Sequence, residues 1–248
     1  VEVVTGSSQI KYGPYTTGGA INLISTPIPT DFSGKLALWG GSFGTANLHA
    51  HIGDSQEQFS YLLEHFSSHS NGFKYLEVPR ETGYRKGDYL AKVKFNSKPS
   101  ALRQQSILFK VGHTEEQSNE TYLGLSEQTF QKTPFRRYAA SQKDQIQTEQ
   151  LQMSATHFLQ WNHRLQFKSM IYRTTFDRNW YKLDKIISEN GDRMSLNDLL
   201  SNSTGENWMD GKVTTNDAPY IVKANNRSYY SNGVQTQVFL DLSNSQLD

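Results

Sequence analysis

The feature that most constrains this chain is a strict alternation of apolar and polar residues, sustained over long segments. In NLHAHI, Leu48, Ala50 and Ile52 fall on one side and Asn47, His49 and His51 on the other. DYLAKVKFN sets Tyr89, Ala91, Val93 and Phe95 against Lys92, Lys94 and Asn96, and SILFKVG sets Ile107, Phe109 and Val111 against Lys110. A period of two marks a half-buried strand, because successive side chains point to opposite faces. The pattern predicts about eight strands, at roughly 35–42, 45–53, 57–68, 88–98, 102–114, 147–160, 163–177 and 228–242. Most are longer than the ~5–6 residues of an ordinary globular strand and match the ~9–11 that cross a bilayer at a tilt.

The connections add direction. Short turns follow at GDSQE, SKPSA and QWNH, and long polar stretches at 69–87, 115–146 and 178–227, which read as structureless loops. GGSFGT is short yet falls on the long-loop side. Short turns at one end and long loops at the other are the pattern of an outer-membrane β-barrel. The periodicity alone leaves a soluble β-sandwich open.

Composition narrows the classes. Apolar residues make up 35% of the chain, yet there are 13 Tyr, 13 Phe and 4 Trp, which argues against both disorder and a thick aliphatic core. Lys plus Arg (25) balances Asp plus Glu (24), so no global field points to nucleic acid. There is no cysteine, hence no disulfide, thiolate site or cysteine nucleophile. No apolar run is long enough for a membrane helix, and the chain opens on VEVV and stops in SNSQLD, which reads as an internal fragment. No G-x-S-x-G, H-E-x-x-H or distinctive carboxylate pair appears, so no enzyme is expected; a hydrolytic barrel is the reading kept beside the others. His49 and His51 share a strand face, but no third ligand stands at a telling spacing, so no metal is expected there.

The opening stretch VEVVTGSSQIKYGPYTTGGAINLISTPIP places Glu2, Val3, Gly6, Tyr12, Gly13, Gly18, Gly19, Asn22 and Thr26 in a spaced series. It resembles the end of the plug domain of TonB-dependent outer-membrane receptors. Two further stretches, NETYLGLSEQTFQKTPFRRYAASQKDQ (119–145) and FDRNWYKLD (176–184), are similar to the ferric dicitrate receptor branch, with Ser126 and Thr133 departing from its pattern. The resemblance implies an all-β fold: a plug tail over 1–29, then, over 30–248, about eight strands of a transmembrane antiparallel barrel of roughly twenty-two. In that setting the glycines let backbones pass closely, and no phosphate loop is implied, since Lys11 precedes them.

The resemblance also implies a function: uptake of an anionic ferric chelate across the outer membrane, driven by the TonB–ExbB–ExbD complex through plug residues outside this chain. The surroundings would be outer-membrane lipid and lipopolysaccharide, with no cofactor beyond the chelate. Another siderophore, a carbohydrate or cobalamin stays open as ligand. Arg136 and Arg137 are the leading ligand candidates, because guanidinium forks bind carboxylates and QKTPFRRY offers no adjacent acid. Tyr138, Gln142 and Arg178 follow. Trp180 and Tyr181, beside Asp177 and Arg178, suit an interfacial aromatic girdle.

Overall fold

The computed structural model describes residues 1–6, 18–187, 191–201, 203–211 and 220–242, with 203 and 204 described by their backbone alone. Tyr12 and Gly13 of the glycine-rich series lie outside the described residues. The chain is mostly antiparallel sheet, and no helix is long and apolar enough to cross a membrane.

Two short strands, β1 (Glu2–Val4) and β2 (Ala20–Asn22), pair antiparallel. The main sheet follows: β3 (Ser33–Gly41), β4 (Thr45–Ser55), β5 (Phe59–Ser70), β7 (Tyr84–Asn96), β8 (Gln104–Asn119), β10 (Gln145–Gln160) and β11 (Leu165–Ile187), each pairing with the next along the chain. Between them lie β6 (Tyr75–Leu76), α1 (Glu127–Lys132), β9 (Arg136–Arg137) and a 3-10 turn, Ala139–Lys143. After β11 come β12 (Arg193–Ser195), α2 (Leu196–Leu200), α3 (Ser203–Met209), β13 (Tyr220–Ala224) and β14 (Arg227–Leu240). β13 and β14 run along β11 in succession, from Tyr220 opposite Ile186 to Leu240 opposite Leu165, with one register shift between Leu183 and Lys185. They act as a single returning strand, joined where the Asn225 N–H donates to the Trp180 carbonyl. The sheet is open: β3 and β14 form its two edges.

All eight alternating segments are strands, and two outrun their expected ends by five residues or more. β8 continues to Asn119 and β11 to Ile187. The long connections are not structureless, which corrects the sequence reading. Their apolar residues bury one another: Leu123, Tyr138, Ala140, Leu183, Ile186, Leu199 and Met209 form the main buried cluster. Ser195 caps α2 by accepting the Asp198 N–H, and Ser126 caps α1 by accepting the Thr129 N–H. The short GGSFGT hairpin docks on its neighbour, the Asn71 N–H donating to the Phe43 carbonyl and the Phe43 and Phe73 rings meeting edge-on.

The sheet's two faces differ sharply. One carries Leu36, Leu63, Phe109, Val111, Met153, Ile171 and Val234, all exposed, Val234 by 74%. It turns polar towards the long loops, at Glu115, Glu149 and Asp177, which are register neighbours. Tyr89 and Tyr230 stand near that boundary, and Phe59 and Phe95, 5.4 Å apart, stand at the opposite end. Tyr89 and Phe95 are six residues apart on β7, or about 20 Å of strand.

The other face is polar and partly covered. Lys92 donates to the carbonyls of Ser25, at 3.3 Å, and Thr26; the Thr26 hydroxyl donates to Glu64 at 2.9 Å. Ser55 donates to the Pro29 carbonyl at 2.6 Å. A Cβ on Gly53 would meet Pro29 Cδ at 2.7 Å, so glycine is what lets this segment lie flat on β4. Lys92 is therefore 7% exposed rather than open on its face.

Candidate functional site

Arg136 joins three long connections. Its Nε lies 2.9 Å from Glu77 Oε1 and its Nη2 2.5 Å from Asp210 Oδ1. Around it β6 and β9 form a short parallel ladder, with Tyr75 opposite Arg136. The expectation that this charge lacks a counterion is corrected: its acids come from residues 59 positions before and 74 after it, too remote in sequence to be seen locally. Two carboxylates on the guanidinium of a residue that is 9% exposed leave it little capacity for a ligand.

Tyr138 is fully buried at the centre of the loop cluster, its hydroxyl donating to Glu206 Oε1 at 3.2 Å and accepting the Ser126 N–H. Its position is that of a core residue. Asp144 nearby accepts the Leu183 N–H at 2.7 Å and the Tyr122 N–H at 3.2 Å, tying the loop to β11. Burial pushes its carboxyl above the ordinary range, against the pull of those donors.

Arg137 is the freer arginine. Among the described residues it donates only to backbone carbonyls, those of Pro134 and Arg136, and burial lowers its pKa. Burial, and then the Arg137 charge, pull the Lys74 ammonium below its usual range, so the two cations are neighbours. Gln142, in the 3-10 turn, is half-buried.

A group of cations surrounds Arg178. It is the register partner of Arg227, and Lys182 is the partner of Lys223, so four cations occupy one patch where β11 meets its returning strand. The indole of Trp180 lies between: the Arg178 guanidinium is 5.6 Å and the Lys182 ammonium 5.1 Å from its centroid. This corrects the girdle reading for Trp180, which faces the polar side with these cations. Arg178 Nε is buried without a hydrogen-bond partner, and no carboxylate pairs with any of the four among the described residues. Tyr122, 5.2 Å from Trp180, and Tyr229, 3.4 Å from Arg227 Nη1, supply hydroxyls at the rim. Like charges set directly opposite repel, and an anion between them relieves the repulsion. Arg178 was the only one of the four singled out in the sequence. Lys182, Lys223 and Arg227 lie within or beside what read as a loop, and only the register of β13 and β14 on β11 brings them together.

No family model matches the chain, and neither does any curated protein or solved structure.

The glycine-rich opening divides. Gly19 has φ +124° and a Cβ there would meet the Val4 carbonyl oxygen at 3.2 Å, so close approach explains it; Gly6 has φ +77° in open space. A Cβ on Gly18 would meet nothing within 4 Å among the described residues. Asn22 donates to Glu2 at 2.9 Å across the β1–β2 ladder. The histidine pair acquires a third potential ligand that spacing could not reveal: Glu64, on the next strand.

Proposed function

We propose that this chain is part of a TonB-dependent outer-membrane receptor that takes up an anionic ferric chelate, with 1–29 as plug tail and 30–248 as the first portion of the barrel. The observation that carries the membrane half is the exposed apolar face running across all the long strands. A soluble sheet with such a face would need a second layer over it, and among the described residues no element packs there. Lipid satisfies it. The opposite face suits a barrel lumen, with the segment after the plug tail lying against it through Lys92, Glu64 and Ser55. An open sheet of this size is what a portion of a larger barrel leaves.

The ligand half rests on Arg178, Lys182, Lys223 and Arg227, on the lumen-facing side near the long loops. Four cations without carboxylate partners among the described residues favour a ligand rich in carboxylates over a neutral one. No bond is made or broken: the ligand is held by charge and released when the plug moves, as the binding-competent state is depopulated. The test is iron uptake in cells carrying or lacking the full-length receptor, from ferric citrate and from a neutral ferric chelate. Uptake confined to the anionic chelate is expected; equal uptake of both, or none, counts against this ligand class.

A further inference from the structure

Beneath the segment that crosses the polar face, three metal-ligating side chains meet. His49 and His51 stand two residues apart on β4 and share its polar face, and Glu64 on β5 is the register partner of His51. One ligand atom from each lies within 4.8 Å of the others, with His49 Nε2 2.7 Å from Glu64 Oε1. The His49–Glu64 contact accounts for two of the three. It does not account for His51, whose Nδ1 is buried without a hydrogen-bond partner among the described residues. A buried ring nitrogen with nothing to bind is costly in a folded protein, and a cation among these groups is one thing that meets it.

We propose that His49, His51 and Glu64 bind a single divalent transition ion of the zinc class. Two imidazoles and one carboxylate suit zinc, copper or nickel, whereas magnesium and calcium prefer oxygen alone. Bonds of about 2.0–2.1 Å in a tetrahedron put ligand atoms ~3.3 Å apart, between the shortest separation here and the limit of the set. Side-chain rotation suffices. Thr26 already donates to Glu64 Oε1 at 2.9 Å, an outer contact that orients the carboxylate and ties the metal to the crossing segment. Two cations face the site. Lys35 is the register partner of His51, and Lys92 is held by the Ser25 and Thr26 carbonyls. Both oppose a dication, which favours moderate over very tight affinity. The site is independent of the transporter reading, since a metal here is neither the transported ligand nor bound by the Arg178 cluster.

The test is calorimetric titration of the full-length protein in detergent with zinc, together with the visible spectrum of the cobalt-substituted form. One ion per chain is expected, with intense tetrahedral cobalt bands. His51→Ala and Glu64→Gln should each weaken zinc binding at least about tenfold and remove the bands. His157→Ala, on a histidine that bonds Gln105 elsewhere in the sheet, should change neither. Glu64→Gln keeps an acceptor for Thr26, so the circular dichroism of the sheet should be preserved in it. Absence of one-to-one zinc binding in the parent overturns the proposal, as does binding that His51→Ala and Glu64→Gln leave unchanged.

Discussion

Lys92, at the middle of β7, donates its ammonium to the carbonyls of Ser25, at 3.3 Å, and Thr26, residues that precede the whole main sheet. A side chain that sequence alternation puts on an open polar face is thereby buried under its own chain. Replacing Lys92 by Ala removes both bonds and leaves two carbonyls covered, at a cost of roughly 1–3 kcal/mol. The expected outcome is faster proteolysis between residues 23 and 30 with the strands intact. Unchanged protection there would mean that Ser55 and Gly53 hold the segment without Lys92.

Much of this was legible in sequence, and the reason is local. Alternation depends on neighbours two residues apart, so every long strand could be read, down to Leu48, Ala50 and Ile52 sharing a face. The loops were opaque because their partners are remote: Arg136 meets Glu77 and Asp210, and Tyr138 meets Glu206. Ser195 and Asp198, a capping pair before an apolar run, carry a local signal for α2. The cation patch needed the register of a strand returning some forty residues later, which no local pattern encodes.

The Arg136 assignment predicts a structural phenotype. Arg136→Ala leaves Asp210, whose side chain is 4% exposed, buried without its counterion, and breaking such a pair costs about 3–5 kcal/mol. Hydrogen exchange should rise in 120–144 and 196–211 together while the strands below stay protected. A change in ligand affinity with unchanged loop protection would make Arg136 a ligand residue after all.

For the cation patch, Arg178→Ala and Arg227→Ala should each weaken binding of ferric citrate roughly ten- to a hundredfold, as a lost charge-assisted bond of about 1.5–3 kcal/mol requires. Arg137→Ala should do less. Calorimetry on the full-length protein separates them, and an Arg137 effect larger than that of Arg178 would move the proposed site to the Lys74–Arg137 pair.

Gly19 and Gly18 should respond differently. Gly19→Val puts a β-branched side chain at φ +124° against the Val4 carbonyl, a strain of about 1–3 kcal/mol, and should lower the level of folded protein. Gly18→Ala should be silent by immunoblot and uptake. Equal effects would show that the pair acts as a flexible turn.

On the proposed function, one face of this sheet meets lipid. The chain contains no cysteine, so single cysteines can be introduced without background. Spin labels placed one at a time from Ile107 to Gly112 in the full-length protein in bilayers report collisions with oxygen, which partitions into lipid, and with a water-soluble relaxant. Sites 107, 109 and 111 should be reached by oxygen and shielded from the aqueous reagent, and 108, 110 and 112 should show the reverse. Equal aqueous access at Phe109 and Lys110, or burial of both from either reagent, would contradict a membrane barrel and return the chain to the soluble sandwich.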